Sequence, residues 1–242
     1  MASAQRARTP RQGDPAPRRS VRNAHRAYNA DMTEHVILLH GVWMRGLTLL
    51  FLARRLRAAG FEVDVFDYAS VFGSVDATCE RLRTRMRELG AERVHLVGHS
   101  LGGLLALEAT RHARDLPDGN IVCLGPPLRG SAVARVLSGI PGGRLLLGHS
   151  RDTLVGGVDS WDGSRPVGVV AGELPFGLGI TVGALAGPHD GTVAVEETQL
   201  AGLADHCTVA STHTGLLFSP AVAELTGAFL RNGCFKQPRA DR

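Results

Sequence analysis

The stretch that decides the fold is Arg93-Val94-His95-Leu96-Val97-Gly98-His99-Ser100-Leu101-Gly102-Gly103. Its first five residues form an apolar run and predict a buried strand. The next five match Gly-x-Ser-x-Gly, and we expect a helix to begin near Gly102. A sharp turn between a strand and a helix holds a serine in a strained backbone conformation. This context predicts that Ser100 is a nucleophile, although the pentapeptide alone would also fit a glycine-rich turn.

On both sides of this stretch, short apolar runs alternate with amphipathic segments. This alternation is typical of an α/β fold in which helices flank a mostly parallel sheet. The predicted strands cover residues 35–39, 61–68, 93–97, 121–124, 167–171 and 206–210. Apolar residues at positions 75, 79, 82, 86 and 89 predict a helix, and Ser219-Pro220 and Gly233 mark the two ends of the last helix.

Three segments depart from this alternation. Residues 1–31 carry seven arginines, two aspartates and few large apolar residues, so we expect a disordered Arg-rich tail. Residues 125–165 are apolar but irregular, and they predict a short lid insertion within a domain that covers residues 32–234. Residues 235–242 are expected to form a polar C-terminal tail.

Charge and composition exclude several classes of function. The net charge of +4 belongs to the tail, because residues 1–31 hold a charge of +5 and the remainder holds −1. We therefore expect no nucleic-acid partner; the alternative, an RNA- or DNA-binding arm, would give steeply salt-dependent binding. The single lysine, Lys236, excludes a P-loop or a Schiff-base lysine in a pocket.

The sequence also predicts that the protein needs neither a metal nor a cofactor. The four cysteines lie far apart and form no zinc-binding or disulfide pattern. No apolar run approaches the ~18 residues of a membrane-spanning helix, so we expect no integral membrane contact. Residues 1–31 lack the apolar centre of a secretory signal peptide, which favours the cytoplasm.

Taken together, the motifs resemble the α/β-hydrolase family, in particular its bacterial lipase and esterase branch, over about residues 35–232. The motifs that carry the resemblance are Gly-His-Ser-Leu-Gly-Gly at 98–103, His40-Gly41, Pro127-Leu128-Arg129-Gly130-Ser131, Asp190-Gly191-Thr192-Val193 and His213. The family places its catalytic residues in the order serine, acid, histidine. Ser100, Asp190 and His213 follow that order.

A catalytic serine needs a base, and the base needs an acid that orients it. His213 follows the last predicted strand, at the end of the sheet where catalytic loops gather, whereas His206 lies at the start of that strand. Asp190 lies in a turn-rich segment where the family carries its acid, and Glu173 is the alternative. We expect His213 to be the base and Asp190 the acid.

The oxyanion hole is expected to use two backbone N–H groups. One is that of Leu101, directly after the nucleophile. The resemblance implies that the other is that of Val42, with Gly41 allowing a close approach. His40 is expected to support this loop.

Apolar residues surround the inferred site and favour a compact apolar ester. One group follows the oxyanion loop, a second lies at residues 174–178, before Asp190, and a third lies at residues 216–218, after His213. The predicted pocket residues are Trp43, Met44, Leu216 and Phe218. The sequence thus predicts a hydrolase of carboxylic esters with short to medium acyl chains, acting through an acyl-serine intermediate. Two alternatives stay open: an acyltransferase or thioesterase with the same triad, and a non-catalytic protein of this fold that binds lipid or a partner.

Overall fold

Six parallel strands form one sheet within residues 34–177 and 183–235, which are the residues that this computed structural model describes. The strands are β1 His35–Leu39, β2 Glu62–Phe66, β3 Val94–His99, β4 Ile121–Leu124, β5 Val167–Gly172 and β6 Asp205–Val209. Their order in the sheet is β2-β1-β3-β4-β5-β6. The six predicted strands are confirmed, with ends that differ by at most two residues. The predicted tail at 1–31 and residues 236–242 lie outside the described residues.

Helices connect these strands. They are α1 Leu50–Ala58, α2 Val75–Glu88, α3 Leu101–Thr110, α4 Ala132–Gly139, α5 Gly143–Leu147, α6 Arg151–Gly156 and α7 Pro220–Asn232. The hydroxyl of Ser219 accepts a hydrogen bond from the N–H of Val222, and Gly233 has a φ of 71°. These contacts confirm the predicted start and end of the last helix.

The sheet is covered on both faces, as its apolar strands predict. Successive side chains of a strand point to opposite faces. In β1, Ile37 and Leu39 pack in the layer that holds α2 and α3, whereas Val36 and Leu38 pack in the layer that holds α1 and α7. Because all strands are parallel, their C-terminal ends meet at one edge of the sheet, and the loops that follow them lie together.

The segment predicted to be a lid insertion, 125–165, contains α4, α5 and α6. Val133, Leu137, Leu147 and Leu154 are buried in the layer of α2 and α3, so the base of the segment belongs to the core. Leu145 of α5 is 80% exposed. The lid role of this segment stays a prediction.

The turn between β3 and α3 requires glycine at two positions. A Cβ on Gly98 would overlap the backbone carbonyl group of Gly102. A Cβ on Gly102 would lie 2.5 Å from the carbonyl oxygen of Leu39, at the end of the neighbouring strand. Between them, Ser100 has a φ of 53°, a conformation that residues with a side chain rarely adopt. The small residues let α3 begin directly against the sheet.

We expect Gly98→Ala to lower the free energy of unfolding by roughly 2–4 kcal/mol, because the added methyl group overlaps backbone atoms that cannot move independently. Urea denaturation measures this change. Gly139→Ala is the matched control: nothing lies within 4 Å of the added Cβ, and the residue ends α4. That change should be neutral or stabilising by up to about 1 kcal/mol. Equal stability of Gly98→Ala and the unmodified protein would contradict the packing described for this turn.

Candidate active site

The loops at the C-terminal edge of the sheet enclose a cavity of about 580 Å³. Ser100 follows β3, His213 follows β6, and the residues after Leu39 leave β1. The lining residues come from all of these loops: Gly41, Val42, Trp43, Met44, His99, Ser100, Phe176, Gly177, Thr192, Thr212, His213 and Thr214. The fold thus brings the predicted nucleophile and the predicted base to one cavity.

Asp190 is paired with His213 just below this cavity. The His213 Nδ1 atom lies 2.7 Å from Asp190 Oδ2, and the His213 backbone N–H donates to the Asp190 carbonyl over 2.9 Å. Asp190 Oδ1 accepts hydrogen bonds from the N–H groups of Thr192 and Val193. Burial raises the pKa of the Asp190 carboxyl, but His213 and these hydrogen bonds outweigh burial and hold the pKa below its usual value. The carboxylate is therefore charged and fixed toward the histidine.

The two alternatives from the sequence lie elsewhere. Glu173 is exposed, and the carboxylate within hydrogen-bond distance of the His213 ring is that of Asp190. His206 lies on β6, where its Nε2 atom is 2.8 Å from the hydroxyl of Thr198. Neither residue lines the cavity.

Ser100 lies between β3 and α3 with a φ of 53° and a ψ of −119°. Its backbone N–H donates to the carbonyl of Leu124 over 2.9 Å, which fixes the turn to β4. Leu101 is the first residue of α3, so its N–H has no acceptor within the helix. The N-terminus of a helix also carries a partial positive charge. This end of α3 is therefore suited to stabilise a negative charge next to Ser100.

A second glycine loop, after β1, lies against this turn. A Cβ on Gly41 would lie 3.0 Å from His99 Nδ1 and 3.2 Å from the Cβ of Ser100. Val42, the predicted second donor of the oxyanion hole, lines the cavity. His40 is fully buried beneath this loop, stacked on the Tyr68 ring with its Nδ1 atom 2.8 Å from the Gly41 carbonyl oxygen. These contacts are those of a residue that supports the loop.

Sequence reasoning missed the role of Gly125, the residue after β4. A Cβ at this position would lie 3.1 Å from both Asp190 Oδ2 and His213 Nδ1, and the φ of Gly125 is 57°. The absence of a side chain leaves room for the Asp–His pair. A glycine directly after a predicted strand was the available signal.

Sequence reasoning also assigned His99 only to the turn. The His99 ring is buried, its Nε2 atom lies 3.0 Å from the His213 carbonyl oxygen, and the two ring centroids are 4.6 Å apart. Burial and the neighbouring charge of His213 lower the pKa of His99 to about 3. The ring is therefore neutral near pH 7, and Nε2 carries the proton that it donates to the carbonyl.

The predicted pocket residues divide into two groups. Trp43 and Met44 line the cavity, and the Trp43 indole N–H donates to the carbonyl of Leu146 in α5 over 2.7 Å. The structure places Leu216 and Phe218 away from the cavity. Leu216 is fully buried in the layer of α1 and α7, because its short 3₁₀ turn directs it into the core.

The ring of Phe218 lies 6.2 Å from that of Phe51. Of the apolar segment at 174–178, Phe176 and Gly177 line the cavity, and residue 178 lies outside the described residues.

Other features of the described chain do not form a comparable site. A groove of about 670 Å³ lies between β2 and α2, but its Asp64 and Arg85 side chains pair with each other. Residues 34–177 and 183–235 contain no cluster of three or more His, Cys, Asp or Glu side chains arranged to hold a metal ion. Within the same ranges, no helix has both the length and the apolar character needed to cross a membrane.

The sequence matches the alpha/beta hydrolase family over residues 36–230. No curated protein sequence is significantly similar to this chain.

Solved structures share the fold at low sequence identity. The lipase BlEst2 of Bacillus licheniformis, in its propeptide form, superposes with a TM-score of 0.67 at 18% identity, over 87% of this chain and 52% of that protein. The chain thus spans about half the length of that lipase. A lipase-esterase related protein from Clostridium acetobutylicum has a TM-score of 0.58 at 13% identity, covering 82% and 95% of the two chains. The lin2722 product of Listeria innocua has a TM-score of 0.55 at 18% identity, covering 86% and 96%.

The lowered pKa of His99 predicts a pH dependence of stability. The folded state favours the neutral ring, so His99 contributes fully above its unfolded pKa of about 6.5 and loses this contribution as the pH falls from there toward 3. We expect His99→Gln to flatten the fall in unfolding free energy between pH 6.5 and 4, measured by urea denaturation. His112→Gln, at an exposed position, is the control. Parallel curves for His99→Gln and the unmodified protein would show that His99 titrates normally.

Proposed function

The chain belongs to the alpha/beta hydrolase family, and we propose that it is a serine hydrolase that cleaves carboxylic esters through an acyl-serine intermediate. The observation that carries this proposal is the His213–Asp190 pair at the cavity that Ser100 also lines. In this proposal Ser100 is the nucleophile, His213 the general base and Asp190 the orienting acid.

The hydrogen bond between His213 and Asp190 sets the direction of proton transfer. A charged carboxylate accepts, so Nδ1 of His213 carries the proton and Nε2 of the neutral ring is the acceptor. In the first step, Nε2 takes the hydroxyl proton of Ser100 while the oxygen attacks the ester carbonyl. The resulting imidazolium then gives this proton to the departing alcohol, and the acyl group stays on Ser100. In the second half, water attacks the acyl carbonyl while Nε2 takes a proton from it, and this proton then passes to the Ser100 oxygen as the acid is released.

The negative charge that develops on the carbonyl oxygen needs donors that are already in position. We assign this role to the backbone N–H groups of Leu101 and Val42. The position of Leu101 at the start of α3 and of Val42 at the cavity supports this assignment.

The cavity wall supports an uncharged, apolar substrate. Trp43, Met44 and Phe176 give the wall its apolar surface, and Thr192, Thr212 and Thr214 add neutral polar groups. Within the described residues, the wall contains no Lys, Arg, Asp or Glu. A volume of about 580 Å³ suits an ester with an acyl chain of short to medium length. The proposed chemistry uses side chains, backbone N–H groups and water, without a cofactor. The cytoplasmic location expected from the sequence is part of the proposal.

Substitution of the proposed triad tests this function. We expect Ser100→Ala to lower kcat for a p-nitrophenyl ester by ~10⁴ to 10⁶, because only substrate binding and the oxyanion donors remain. Asp190→Asn should lower kcat by ~10⁴, because the asparagine would favour the wrong tautomer of His213. Glu173→Gln is the matched control and should keep nearly full activity, because this exposed carboxyl does not line the cavity.

Stopped assays on purified variants measure these rates, and circular dichroism verifies that each variant is folded. If Glu173→Gln lost more activity than Asp190→Asn, the orienting acid would be Glu173 and not Asp190. Full activity of Ser100→Ala would refute the acyl-serine mechanism.

Chain length tests the proposed substrate class. Each additional CH₂ group gains about 0.8 kcal/mol only while there is wall to bury it. On a panel of soluble p-nitrophenyl esters, we expect kcat/KM to rise over the first few acyl carbons and then to level off or fall. A steady rise to the longest chains would contradict a short to medium acyl site.

A further inference from the structure

Large exposed apolar side chains are unevenly distributed over the described residues. Within residues 34–177 and 183–235, eleven large apolar side chains are exposed, and they lie in the loops, short helices and helix starts that follow β1, β2, β4, β5 and β6. Phe72, Leu145 and Phe176 are each about 80% exposed, at 85%, 80% and 79%. Within the same ranges, the loops at the opposite edge expose none. Exposed apolar surface that is concentrated in this way marks an interaction site.

Hydrogen bonds join several of the segments that carry these side chains, so the segments lie side by side. Trp43 donates through its backbone N–H to the Ser70 hydroxyl and through its indole N–H to the Leu146 carbonyl. The N–H of His149 donates to the carbonyl of Val71, next to Phe72. The loops after β1 and β2 and helix α5 therefore form one surface, which we call the apolar rim: Trp43, Phe72, Leu145 and Leu146. Trp43 also lines the cavity, so the apolar rim continues into the site.

Basic side chains outnumber acidic ones on the segments that carry the apolar rim, although Asp67 and Asp76 lie on either side of Phe72 and Asp152 follows α5. Residues 127–151 contain four arginines and no aspartate or glutamate, and so do residues 43–58. Five of these eight arginines pair with carboxylates, namely Arg45, Arg55, Arg129, Arg135 and Arg151. Arg144 stands next to Leu145, is exposed, and has no ion pair within the described residues. A basic surface with projecting apolar side chains is complementary to an anionic lipid surface.

We propose that the apolar rim docks on an anionic phospholipid surface and presents the cavity to it. The side chains of Phe72 and Leu145 enter the boundary between headgroups and acyl chains, while Arg144 lies among the phosphate groups. The docking itself does not depend on the chemistry of the site. Resting on the proposed function, the inference adds that the ester substrate is drawn from this lipid layer into the cavity that Trp43 lines.

Vesicle binding by the full chain tests the proposal. The probes are vesicles of phosphatidylcholine alone and of an equal mixture of phosphatidylcholine and phosphatidylglycerol. We expect sedimentation with the mixed vesicles and much weaker binding to the neutral ones. The double variant Phe72→Ser, Leu145→Ser should reduce the partition coefficient at least ~10-fold, because two large side chains no longer enter the lipid. Arg144→Glu should reduce it about tenfold.

Arg114→Glu is the matched control for charge. Arg114 is exposed and lies in the connection before β4, at the opposite edge of the sheet, so its reversal should leave binding nearly unchanged. Phe72 and Leu145 do not line the cavity. The double variant should therefore hydrolyse a water-soluble acetate ester with unchanged kcat/KM, which also verifies that it is folded.

Three results would overturn the proposal. The first is that the unmodified protein does not bind the mixed vesicles. The second is that the double variant binds them as well as the unmodified protein does; loss of binding on deletion of residues 1–31 would then assign binding to that segment. The third is a dimer of the unmodified protein, detected by light scattering, that is absent in the double variant, which would make the apolar rim an interface between two copies. Failure of the proposed function gives a different pattern, in which vesicle binding persists but no ester is hydrolysed.

Discussion

The close contact of α3 with the C-terminal ends of β1 and β3 is the constraint on which the rest of the site depends. Gly98 and Gly102 allow it, because a side chain on either would meet backbone atoms. The contact forces Ser100 into a backbone conformation with positive φ and places the start of α3 at the cavity. The serine, the N–H groups at the helix start and the loop after β1 then lie within one small volume, and the loops after β5 and β6 bring the Asp190–His213 pair to it.

The fold was largely predictable because its signals are local. Strands that are buried on both faces read as short apolar runs, and the last helix carries its cap in Ser219 and its end in Gly233. The difference at β3 has a simple reason. The strand continues to His99, since Gly98 and His99 still pair with Cys123 and Leu124 of β4, and the turn begins only at Ser100.

The candidate site was predictable where a sequence motif marks a residue. It was less predictable where a residue was chosen only because it lies near a motif in the sequence. The structure pairs the two residues chosen by order along the chain, Asp190 and His213. It places Leu216 in the core, because an apolar residue near a site in sequence has no periodic signal that separates cavity wall from interior packing. Two further contacts join segments that are far apart in sequence: His99 lies against His213, and Gly125 lies against the Asp190–His213 pair. No local sequence pattern predicts such contacts.

If Ser100 is the nucleophile, a reagent that modifies activated serines covalently must label it. A fluorophosphonate reacts with a serine only when a base and an oxyanion hole activate it. Incubation of the full chain with such a probe, followed by mass spectrometry of its peptides, identifies the modified residue. We expect one label per chain, on Ser100, and none on the Ser100→Ala variant. Absence of a label on the folded protein, or a label on another residue that persists in Ser100→Ala, would contradict it.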